Sequence, residues 1–180
     1  MSVTFSSTFL LCSLPSLELG APAPFSVEEY RRRCDGIDGV DLNDFDAVVA
    51  GVEGSHPFTV DYANVLTEIK NITAALRASK WEGENIRITE RPYSGYHLDL
   101  HQRLSEAMNV QNPLEREMAF ERARWLVADA LAGIEYFSEA KVYAYIVKLQ
   151  INNRLAQLTE EAGKAVVENF IKANDQEVSN

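Results

Sequence analysis

Apolar positions recur at three- and four-residue steps along most of the chain, and that period predicts helices. The strongest run spans about Val60 to Ser79, where Tyr62, Val65, Leu66, Ile69, Ile72 and Leu76 fall on one stripe. Ahead of it, Ser26 and Glu29 have the spacing of a capping box, in which each side chain satisfies an orphan amide at a helix start. The helix they open runs to about Cys34 and stops before Gly36 and Gly39. A short helix is expected over Leu42 to Ala50, ended by Gly51 and Gly54.

The second half reads as helical almost throughout. One helix covers about Tyr96 to Met108. Asn112, Pro113 and Glu115 then supply an N-cap, a proline at the first helical position and an acid at the positive end of the dipole, opening a helix that reaches Gly133. Ser138 is expected to cap a helix from Glu139 to about Leu158, and Thr159 another from Glu160 to about Ala173, with 174–180 a polar tail. The first 20 residues differ: Thr4, Phe5, Thr8 and Phe9 favour strand, and Leu14-Pro15 turns the backbone away from helix. The fold expected is therefore all-α, a multi-helix bundle with an irregular or short-strand N-terminal lead-in. It forms one domain over 1–180, or two small helical lobes that meet near 81–95, where glycines and Pro92 interrupt the pattern.

The helix from Glu139 is apolar on two sides. Val142, Tyr145, Ile146 and Leu149 make one stripe, and Tyr143, Val147, Ile151, Leu155 and Leu158 make the other. Two apolar sides need two covers, so this is the central helix of a bundle or a helix shared with a partner. The first reading predicts that Val147→Asp and Ile146→Asp both destabilise the monomer.

Composition removes several functions. With 17 basic and 27 acidic residues the net charge is −10, which argues against a nucleic-acid backbone as partner. Eleven of the acids lie in residues 1–69, against only Arg31, Arg32 and Arg33; this half is read as a solubilising face rather than a dock for a basic partner. Cys12 and Cys34 are too few for a disulfide framework and suit a reducing compartment. Phe9 to Leu14 is apolar but short and lacks a basic start, and no run approaches the roughly 20 apolar residues of a membrane span, so a cytoplasmic protein is expected.

Candidate chemistry is sparse. Gly163-Lys164 is followed by Ala165 and lacks the earlier glycine of a phosphate loop. His97 and His101 share a helical face, a spacing suited to a metal, but position 98 is leucine where a zincin needs glutamate, and no third ligand is evident. Glu53 and His56 have di-iron spacing without the second copy such a site requires. Neither cysteine has a histidine near it in sequence, and Glu28-Glu29 and Glu160-Glu161 are explained by helix dipoles. No catalytic, cofactor-binding or metal residue is assigned.

Two segments carry a resemblance. One is Ser13-Leu14-Pro15-Ser16-Leu17 with the capped Phe25-Ser26-Val27-Glu28-Glu29. The other is Tyr136-Phe137-Ser138, then Ala144-Tyr145-Ile146-Val147-Lys148-Leu149 and Asn153-Arg154-Leu155, leading to Glu161-Ala162-Gly163. Together they resemble a bacterial family encoded beside V-type ATPase genes. Its members occupy the place of the all-helical cap that joins the membrane rotor ring to the central stalk. The resemblance implies a non-catalytic accessory or stalk-linking subunit in ATP-driven proton or sodium transport. It implies V-type ATPase subunits as partners, a cytoplasmic place at the inner face of the membrane, and no catalytic residue. The residues by themselves leave open a small helical enzyme or metal protein using His97 and His101, or a helical adaptor unrelated to the ATPase.

Overall fold

The computed structural model describes residues 5–81, 87–95 and 97–158. Among them seven helices follow in order: α1 (Ser7–Ser13), α2 (Val27–Cys34), α3 (Leu42–Ala50), α4 (Pro57–Ser79), α5 (Leu98–Ala107), α6 (Pro113–Ala132) and α7 (Glu139–Leu155). Two two-residue strands, β1 (Phe5–Ser6) and β2 (Ile37–Asp38), pair in parallel. The fold is the all-α bundle that the periodicity predicts. The helix expected over Glu160 to Ala173, the tail 174–180 and the Gly163-Lys164 pair lie outside the described residues.

α7 is the central helix. Val142, Tyr143, Ile146, Val147, Leu149 and Ile151 are all buried, so both stripes are covered from within the chain. The covers are α1, α2, α3, the start of α4 and the C-terminal half of α6, which supply Leu10, Tyr30, Phe45, Val48, Phe58 and Trp125 to one continuous core. A second cluster of Val65, Ile72, Leu100, Leu104, Ala123 and Val127 joins α4, α5 and α6. The long helices α4 and α6 pass through both clusters, and each carries apolar residues into each.

Several boundaries differ from the expected ones. Residues 7–13, read as irregular or strand, are helical: the Ser6 hydroxyl accepts from the Phe9 amide, and Leu10 is buried in the core around α7. Tertiary burial of that face outweighs the strand preference of Thr8 and Phe9. Leu14 is extended before Pro15, as expected. α4 starts at Pro57, not Val60, because the His56 ring Nδ1 caps the Phe58 amide and Pro57 occupies the first helical position. The expected start of α5 at Tyr96 lies outside the described residues, and α7 ends at Leu155 rather than Leu158. Ser138 stands at the N-cap of α7 without capping it; its hydroxyl donates to the Glu135 carbonyl instead. Only half of the Ser26–Glu29 box forms: Ser26 accepts from the Glu29 amide, while the Glu29 carboxylate pairs with Arg33.

Candidate functional site

The lead-in from Leu14 to Pro24 has no regular structure of its own and is held by side chains of α7. The Tyr145 hydroxyl donates to the Pro15 carbonyl at 2.9 Å. The Asn152 amide donates to the Glu18 carbonyl at 2.9 Å and accepts from the Gly20 amide at 3.0 Å. Asn152 is buried, so its two bonds to backbone satisfy both parties where no water competes. Gly20 adopts φ +84, a left-handed conformation that favours glycine.

Aromatic rings close the joint. Phe25 stacks against both Tyr30 and Tyr145 at centroid distances of 5.9 and 6.1 Å, and Tyr30 lies 4.9 Å from Tyr145, so the three rings form a triangle. The Arg33 guanidinium sits 4.3 Å from the Phe25 ring centroid. The Tyr30 hydroxyl donates to the Val142 carbonyl in α7. Burial pushes the Tyr145 hydroxyl up to about 12, with Arg33 opposing, and drives Tyr30 upward as well. Both therefore stay protonated donors. Burial likewise pushes the Cys34 thiol up to about 12, so it is a packed, unreactive sulfur. Cys12 is exposed on α1.

Beside this joint, the loop between α6 and α7 turns apolar side chains outward. Ile134 is 93% exposed and Tyr136 83%, with Phe137 half exposed. Phe137 and Tyr136 border a hollow of about 290 Å³ with Leu11, Tyr145, Lys141 and Lys148. Large apolar side chains so exposed in one short loop mark a surface suited to protein contact.

The two histidines highlighted by the sequence, joined by a backbone bond from the His101 amide to the His97 carbonyl, differ in setting. His97 meets Glu68 of α4: its backbone amide and ring Nδ1 each lie 2.8 Å from a carboxylate oxygen. His101 is exposed on α5. Glu68 escaped the sequence reading, although an acid within the apolar stripe between Val65 and Ile72 is a visible signal. It is one of three polar α4 residues that fasten the segment ahead of α5. Asn64 accepts from the Ser94 amide, and Asn71 exchanges two bonds with the Arg91 backbone. His56 is used structurally, capping α4 and packing its ring 4.9 Å from that of Tyr143, while Glu53 is exposed. Among the described residues no group of three or more His, Cys, Asp or Glu side chains is placed to hold a metal ion. The arginine run divides: Arg31 pairs with Asp46, Arg33 with Glu29, and all three side chains lie at the surface.

No family model matches the sequence, and no curated protein or solved structure matches it either.

Proposed function

We propose that the protein is a non-catalytic accessory or stalk-linking subunit of a bacterial V-type ATPase, serving ATP-driven proton or sodium transport through contact with the central stalk or rotor ring. The joint supports this reading. The segments that carry the resemblance, whose Pro15 and Tyr145 lie 130 residues apart, fold as one unit around α7. Each provides what the other lacks: the lead-in gives backbone carbonyls and Phe25, and α7 gives Tyr145 and Asn152. Residues that share a motif because they share a fold would be coupled in this way.

Tyr136 and Phe137 belong to one of these segments, and their loop, with Ile134, is the surface the reading assigns to the partner. Aromatic side chains bury much area for little lost freedom, which makes such a loop an efficient anchor. The chain then works in the cytoplasm, at the inner face of the membrane, held there by the ATPase. No helix among the described residues is long and apolar enough to cross a membrane.

Affinity purification of the full chain from its native cell tests the proposal. ATPase subunits are expected in the recovered complex, and Tyr136→Ser with Phe137→Ser should remove them while the protein stays folded. Recovery of an unrelated complex with no ATPase subunit rejects the reading.

A further inference from the structure

A cleft of about 420 Å³ lies where the end of α3, the middle of α4, α6 and the C-terminal part of α7 meet, away from the joint. Val48, Val49 and Leu66 form an apolar side, and Lys70, Arg124 and Arg154 face it. Among the described residues no aspartate or glutamate lines it, in a chain that carries ten net negative charges. Such a wall is unusual for this composition.

The arginines are held from behind. Glu121, only 1% exposed, pairs with both Arg124 and Arg154. Arg154 also meets Glu117, and Arg124 donates to the Tyr62 hydroxyl at 2.8 Å. These contacts order the guanidinium of Arg124 and leave its Nε–H without an acceptor. The Asn153 side-chain amide nitrogen is likewise buried and unpaired, and these are the two such atoms among the described residues. Both belong to residues that line this cleft. Lys70 is exposed at its edge and has no acid partner among the described residues. Among the described residues Glu117 and Glu121 answer Arg124 and Arg154, and the charge of Lys70 is left over.

An unpaired buried donor carries a free-energy penalty that an acceptor in the cleft would remove. An anion removes it best, because it also answers the surplus charge, and charge-assisted bonds are the stronger kind. Water would satisfy the donors but not the charge. We propose that the cleft binds a small organic anion, a carboxylate or a phosphate ester. Its oxygens accept from Lys70, Arg124 Nε and the Asn153 amide, and its apolar body lies on Val48, Val49 and Leu66. The volume falls within the range of small-molecule sites.

The test uses the full chain labelled with nitrogen-15, which gives the Arg124 Nε–H and Asn153 amide their own resonances. Sodium butyrate and inorganic phosphate are titrated separately at ionic strength held constant with sodium chloride. A saturable shift of both resonances is expected. Butyrate acting alone identifies a carboxylate ligand, and phosphate acting alone a phosphate ester. Lys70→Met, at an exposed position, should leave the melting temperature unchanged and weaken binding roughly tenfold, the loss of one charge-assisted bond. If neither probe moves the two resonances saturably, or if Lys70→Met binds as the parent does, the cleft holds water and the proposal is overturned.

Discussion

The core around α7 and the core between α4, α5 and α6 are built on different principles. Around α7 the interior is apolar and aromatic: Tyr30, Phe45, Phe58 and Tyr143 with aliphatic neighbours, and hydroxyls aimed at backbone carbonyls. Between α4, α5 and α6 the apolar cluster is smaller. Here a buried acid completes the packing, Glu68 tied to His97, and a second buried acid, Glu121, sits at the seam with α7, tied to Arg124 and to Arg154 of α7. In the first region the buried acid of α3, Asp44, is satisfied by the Ser55 and His56 amides and the Thr59 hydroxyl. The second depends on charges that are already paired, and removal of one partner strands the other.

That contrast is sharpest at α7. Val147→Asp and Ile146→Asp each put an unpaired carboxylate into a fully buried position and are expected to cost at least about 4 kcal/mol. Chemical denaturation reads the loss, and a near-unchanged melting temperature for either variant would show that its stripe is not internal. At the seam between α6 and α7, Glu121→Ala leaves the Arg124 guanidinium without its carboxylate and should cost about 3 kcal/mol. If Glu121→Leu is as stable as the parent while Glu121→Ala is not, the volume and not the charge is what matters there.

Alkali separates the regions next. Burial pushes the Tyr143 hydroxyl up to about 12, whereas the phenol of an unfolded chain titrates near 10. The sign follows: below pH 10 both states hold the proton, and above it the unfolded chain releases it first. Stability therefore falls as pH rises from 10 to 12, by on the order of 2 kcal/mol for this residue. Tyr143→Phe should make that part of the profile shallower, with Tyr145 and Tyr30 carrying the remainder. A slope unchanged by the substitution would place the alkaline sensitivity elsewhere.

Glu68→Gln keeps the shape and removes the charge beside His97, at an expected cost of about 1 kcal/mol. Amide exchange should quicken at His97 and leave α7 unchanged; equal acceleration in both would mean that the two cores open together. The smallest effect belongs to the exposed loop. Tyr136→Ser and Phe137→Ser should change stability by about 0.5 kcal/mol or less, since neither side chain is buried.

How legible each region was follows the same division. The limits of α3 were readable in full, since Asp41, Leu42 to Ala50 and Gly51 are all local signals. The N-cap of α6 was equally plain: Asn112 accepts from the Leu114 and Glu115 amides. α1 was missed because its helix is paid for by burial against α7, which no local preference reports. The start of α4 was missed because His56 is an uncommon cap, and Gly54-Ser55-His56-Pro57 reads as loop. Of the joint, the sequence displayed the segments but not their meeting. Of the cleft it displayed nothing, since Lys70, Arg124 and Asn153 are separated by tens of residues and lie on three helices.

Period, caps and breakers determined by themselves that this chain is helical, where several of its helices begin and end, and that one of them is apolar on two sides. These are short-range properties: a helix stripe repeats within four residues, and a cap acts across three. Only the tertiary structure decided which surfaces the two sides of α7 meet, that Glu68 belongs to His97, and that Arg124 and Asn153 keep donors unanswered at one cleft. Burial and pairing depend on which distant residues arrive, and a linear pattern carries that information for faces but not for partners.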